Sequence, residues 1–185
     1  NIRDMWKNFK AVVFNPIKNA KIPFGFTIGN HDASPSFLLD RNIAFEFWQR
    51  EKKDTHLTYV DAENYPFYFS YIKNNVFFMS WDAAGAKISP EVYDWIKAQT
   101  SQKVAKKARM RILLGHLPLY AIVAAKNKPG EVNANADSSL AFFKSHKIDM
   151  YISGHQHAYY PAEKNGVQLI NSGCIGNGPR PILGH

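Results

Sequence analysis

The 185-residue sequence has one cysteine, Cys174, so an intrachain disulfide is excluded and the redox compartment stays open. Long apolar runs are missing as well, and none reaches the length of a membrane span. There are no repeats, low-complexity tracts or linker-like stretches, so residues 1–185 are expected to form a single domain. The chain starts at Asn1 with no visible secretory signal or other targeting segment. Carboxylates are scarce beside cations, 15 against 23, for a net charge of +8. Such a balance suits anionic partners without choosing among them. The run Lys103, Lys106, Lys107, Arg109, Arg111 reads as a solvated helix end, and nucleic acid is not an expected partner.

Apolar residues make up 45% of the chain and aromatics 14%, enough for a real core. Met5, Trp6, Phe9, Val12 and Val13 have helical spacing, and Pro16 is expected to limit that helix. Residues 22–28 read as a buried strand and 37–50 as a helix, with polar loop at 51–64. A hairpin follows, Phe67–Ile72 and Val76–Trp81 around Lys73-Asn74-Asn75. Ser89-Pro90 starts a helix, as N-cap and N1 proline. Met110–Leu114 is expected as a strand, 126–136 as loop, a helix from Asp137, and a strand over Ile148–Ile152. A second hairpin around Lys164-Asn165-Gly166 precedes a glycine-rich loop, 172–178. Strands alternate with helices and hairpins intervene, which predicts an α/β fold with mixed sheets.

Three apolar strands end in Gly29-Asn30-His31-Asp32, Gly115-His116 and Gly154-His155-Gln156-His157. A glycine lets the backbone turn sharply beside a ligand, and the next residue offers an imidazole nitrogen or amide oxygen. Each motif alone is an ordinary turn. Three of them, each closing an apolar strand, point to one metal site at the carboxyl ends of a sheet. Nitrogen with hard oxygen suits Zn, Fe or Mn. His56 and His146 have no such setting.

In this order the three motifs resemble the calcineurin-like metallophosphoesterase superfamily. Trp6-x-x-Phe9, the 65–81 hairpin, His116-x-Pro118-Leu119-Tyr120 and Ala158-Tyr159 resemble its purple-acid-phosphatase-like branch. The resemblance implies mixed sheets in a sandwich flanked by helices, with two metal ions at the strand ends. Asn30, His116 and His155 would bind one ion and His157 the other. His31 would be a catalytic histidine beside the substrate, and Asp32 would orient it or serve the turn. The implied reaction is attack of a metal-bound hydroxide on a phosphate ester, most simply a small-molecule phosphomonoester. A cyclic-nucleotide or other phosphodiesterase, and a non-catalytic metal- or phosphate-binding module, are the alternatives.

The family's Asp-x-His and Gly-Asp motifs do not occur before Asn30. The domain is therefore expected to be incomplete at the front, lacking the first strand–helix–strand unit, and short at the C-terminus as well. Alone, such a segment would be a poor dinuclear catalyst. Similar proteins are often exported, which makes a periplasmic or secreted location the expectation.

Overall fold

The computed structural model describes residues 1–175 and 177–184. Gly176, within the expected glycine-rich loop, and His185 lie outside the described residues. Among the described residues, seven strands form one mixed sheet: β1 Thr58–Asp61, β2 Phe69–Lys73, β3 Val76–Ser80, β4 Met110–Leu114, β5 Met150–Ser153, β6 Tyr160–Lys164 and β7 Val167–Asn171. Their order is β1-β2-β3-β4-β5-β7-β6. β3, β4, β5 and β7 run parallel, and antiparallel pairs close both sides. The expected α/β class with a mixed sheet is what the chain adopts.

The register aligns the ends that matter. Ser80 pairs with Leu114, and Leu114 with Ile152. The turns after β4 and β5 therefore leave the sheet side by side, and Gly154 N–H donates to His116 O at 3.0 Å.

Alternation within the strands divides the core into two layers. Phe77, Met79, Trp81, Leu113 and Tyr151 face α5 (Pro90–Ser101) and α7 (Ala136–Ser145), packing with Ile96, Leu140 and Phe143. On the other face, Phe69 and Tyr71 meet an aromatic cluster. It comprises Trp6 and Phe9 of α1 (Ile2–Phe9), Phe14, Phe24, Phe26, and Phe47 and Trp48 of α4 (Leu38–Glu51). Phe26 stacks on Trp48 at 3.8 Å between centroids.

Three local features differ from the sequence expectation. Residues 22–28 join no ladder; Phe24 and Phe26 pack against this cluster and Ile28 is buried, while Ile22 is exposed. Pro23 has no N–H to give, and Phe24 N–H goes to the Thr55 carbonyl at 2.8 Å. This segment is the second layer's extended element, held by aromatic packing in place of a sheet. Pro16 does not stop the first helix either. A π-helical turn, Lys10–Phe14, precedes α2 (Asn15–Asn19), so the proline enters at the start of a helix, where its missing N–H costs least. Finally, the polar stretch expected as loop contains β1, whose four residues are too short and too exposed to show an alternating pattern.

Gly115 is closely packed at the approach to the site. A Cβ there would lie 2.2 Å from Trp81 Nε1 and 2.4 Å from the Tyr151 hydroxyl. Both rings are fully buried and pinned, since Trp81 Nε1–H donates to Tyr151 and Tyr151 donates to the Leu117 carbonyl. Gly115→Ala is expected to destabilise the fold by ~1–3 kcal/mol through overpacking. Gly85→Ala, where the new methyl meets only ordinary contacts, should be close to neutral. Urea midpoints of the two variants check this.

Candidate metal centre

Asn30 opens α3 (Asn30–Ala33), a single helical turn that follows the extended segment. Asp32 Oδ2 accepts the Gly29 N–H at 3.0 Å, and Arg41 of α4 donates to the Ala33 carbonyl at 2.9 Å. Arg41 is itself ion-paired to Asp82 and lies over the Phe67 ring, 3.7 Å from its centroid. These contacts hold the turn so that the Asn30 amide reaches the end of β4. There its Oδ1 lies 2.7 Å from His116 Nε2.

His155 arrives from the end of β5. Its Nδ1 is 3.1 Å from the same His116 nitrogen, and its Nε2 is 2.5 Å from Glu131 Oε2. The network assigns the protons. An ionised carboxylate only accepts, so His155 carries its proton on Nε2 and presents the Nδ1 lone pair. His116 Nε2–H then donates into two acceptors, Asn30 Oδ1 and His155 Nδ1.

His155 and His157 both have left-handed backbones, with φ of 68° and 57°. Neither is glycine, so the turn carries strain. Arg180 offsets it: Nη1 donates to the carbonyls of His155 (3.2 Å) and Gln156 (3.5 Å), and its N–H to that of His157 (3.0 Å). Gln156, fully buried, points the other way and accepts the N–H groups of Ile122 and Val123 at 3.0 and 3.1 Å.

Residues 3–159 match a family model described as calcineurin-like phosphoesterase. The chain belongs to that family. It is 26% identical over 176 residues to a phosphoenolpyruvate phosphatase of Allium cepa, covering 92% of this chain and 34% of the relative. The chain thus spans about a third of that relative's length. A purple acid phosphatase from yellow lupin (Lupinus luteus) seeds has the same fold, with a TM-score of 0.72 at 19% identity. That match covers 99% of this chain and 36% of the lupin one. A dimetal phosphatase from Danio rerio gives a TM-score of 0.58 at 16% identity, over 91% of this chain and 66% of that one.

The residues singled out by motif divide into three settings in this calcineurin-like chain. Asn30, His116 and His155 converge through atoms 2.7 and 3.1 Å apart. Ligand atoms bound at ~2.1 Å to a common ion stand roughly 3 Å apart, so the trio fits one. His157 is partly buried, and among the described residues its Nδ1 is a buried nitrogen with no hydrogen-bond partner. His31 and Asp32 are exposed at the rim. Among the described residues no three His, Cys, Asp or Glu side chains make a metal cage by themselves. The grouping depends on the Asn30 amide oxygen.

Sequence reasoning missed Glu131, Gln156 and Arg180. Glu131 lies in a stretch assigned only as loop, Gln156 is the variable letter of its motif, and Arg180 follows the glycine-rich loop. Local spacing signals none of them, because each acts across the fold.

Burial drives the His116 pKa down to about 3, with His155, His31, His157 and Lys126 adding to the effect. Its imidazole is therefore neutral wherever the protein is folded near neutral pH. Burial would raise the Glu131 carboxyl, but hydrogen bonds from Lys126 and His155 outweigh it and hold the pKa at about 2. The unfolded chain protonates His116 near its ordinary value of 6.5, before the folded one does. In metal-free protein, stability should therefore fall as pH drops from 6.5 towards 3, by up to ~1.4 kcal/mol per pH unit from this residue. Over pH 7 to 5 the His116 ring resonances should hold their neutral positions. Urea melts across that range, with His116→Asn for reference, and ring NMR check the two expectations.

Proposed function

We propose that this chain carries half of a dinuclear metal centre and the substrate-side histidine of a phosphoester hydrolase, most simply a phosphomonoesterase. The observation carrying the proposal is the convergence of Asn30 Oδ1, His116 Nε2 and His155 Nδ1 from three separate chain turns. Family membership and the likeness to phosphatases support it.

Asn30, His116 and His155 would hold one ion and His157 would serve a second, with zinc, manganese or iron compatible with nitrogen and amide oxygen. Such ions supply Lewis acidity towards phosphoryl oxygens and lower the pKa of water. The three donors from this chain are neutral, so they leave the positive charge of the first ion available to an anionic substrate. To hold a cation between its two partners, His116 would present Nε2 as its other neutral tautomer, with the ring proton on Nδ1.

His31, exposed one residue beyond Asn30, would stand beside the bound phosphate ester. There it would stabilise developing charge or hand a proton to the leaving oxygen. Asp32, through Gly29 N–H, fixes the turn that presents Asn30 and His31 together.

Calorimetric titration with Zn²⁺ or Mn²⁺ tests the metal assignment. Asn30→Ala, His116→Ala and His155→Ala are each expected to weaken the tighter site at least tenfold, and His157→Ala to spare it. Equal affinity in all four variants overturns the ligand set. In the full-length protein, p-nitrophenyl phosphate should be hydrolysed faster than its bis-ester, and the reverse order would make the enzyme a diesterase. Metal binding with neither ester turned over would favour a binding module. His31→Ala should lower kcat by 10²–10⁴-fold while metal content holds. Loss of metal would place His31 among the ligands instead.

A further inference from the structure

We propose that Glu131 is a positioning residue: it fixes the tautomer and ring orientation of His155, so that Nδ1 and not Nε2 faces the ion. This rests on the assignment of His155 as a ligand. The His155 side chain is 6% exposed and its outward nitrogen meets Glu131 Oε2 at 2.5 Å. A neutral imidazole has one ring proton, and the carboxylate claims it at Nε2. Moving that proton to Nδ1 would set an unprotonated nitrogen against a carboxylate oxygen, and turning the ring over would set a ring C–H there; neither restores the N–H···O hydrogen bond.

The carboxylate is itself held in place. Lys126 donates to the same Oε2 at 2.7 Å, so Glu131 stays ionised while partly buried. Its loop is fastened to the histidine turn by Gln156, whose Oε1 takes two backbone N–H groups at residues 122 and 123. Gln156 Nε2 also reaches the Glu131 carbonyl at 3.4 Å. The residue between the two histidines thus anchors the loop whose carboxylate orients the first of them. Because Glu131 bonds the nitrogen remote from Asn30 and His116, it acts through His155 and is not a fourth ligand.

Two variants separate these roles. Glutamine keeps an oxygen that accepts from Nε2–H, and alanine does not. Glu131→Ala is expected to weaken Zn²⁺ binding 10–100-fold, measured by calorimetry, whereas Glu131→Gln stays within about threefold of wild type. In metal-free protein, ¹H–¹⁵N ring spectra should show His155 protonated at Nε2 in wild type and Glu131→Gln, and a mixture of tautomers in Glu131→Ala. Equal losses in both variants would make the negative charge the active feature and overturn positioning through the hydrogen bond. An unchanged tautomer and affinity in Glu131→Ala would overturn it outright. The tautomer measurement needs no ion. Wild-type chain that binds no Zn²⁺ would therefore defeat the metal assignment, while the spectra still decide the role of Glu131.

Discussion

Much of the structure is arranged around one buried nitrogen, His116 Nε2. Two acceptors share its proton, the Asn30 amide oxygen and His155 Nδ1, and each comes from a different turn. Such a meeting is costly to arrange, because polar groups leave water and three backbones must stop within a few ångströms of one another. The fold meets the requirement with parallel pairing. β3, β4 and β5 end in register, and the glycine after β4 turns the chain where no side chain would fit between Trp81 and Tyr151. Gly29 answers the same need from the other side, since a Cβ there would approach the His116 ring to 3.0 Å.

The two core layers have different parts in this. The layer of Trp81, Tyr151 and Phe143 is continuous with the site: the Tyr151 hydroxyl bonds the carbonyl one residue past His116. Its rigidity sets where His116 can be. The aromatic layer acts at longer range, by pressing residues 22–28 on to the sheet without ladder hydrogen bonds. Phe26 against Trp48 and Phe69 places the segment, and Thr27 Oγ1 reaches the Trp81 carbonyl at 3.4 Å. Asn30 is therefore delivered by packing, whereas His116 and His155 are delivered by strand pairing. The short α3 turn needs its extra ties to Asp32 and Arg41 for that reason.

The elements legible in the sequence are those whose cause is local. An apolar run, a glycine and a donor residue follow one another in sequence, so Asn30, His116, His155 and His157 stand out from the sequence itself as candidate ligands. Hairpin turns such as Lys164-Asn165-Gly166 and the Ser89-Pro90 helix start were legible for the same reason. What stayed hidden depends on neighbours distant in the chain. Nothing near residue 131 says that its carboxylate ends against residue 155, or that Arg180 returns to bond the carbonyls of His155 and Gln156. The unpaired state of 22–28 is hidden likewise, because its apolar pattern is that of a strand and only the partners decide whether a ladder forms.

Charge shows how position alters a reading taken from totals. The net charge of +8 suits anionic partners in general. Yet Lys103, Lys106, Lys107 and Arg109 precede β4, while His116 follows it. A five-residue strand separates the two ends by roughly 17 Å, about two screening lengths at physiological ionic strength. The basic run therefore contributes little field at His116. The cations that act there are Lys126 and Arg180, and both are already engaged, one with Glu131 and the other with the backbone of the histidine turn. On the proposed assignment, with neutral Asn30, His116 and His155 beside them, the attraction for a phosphate ester would come from ions held by these residues and not from the protein's excess of lysine.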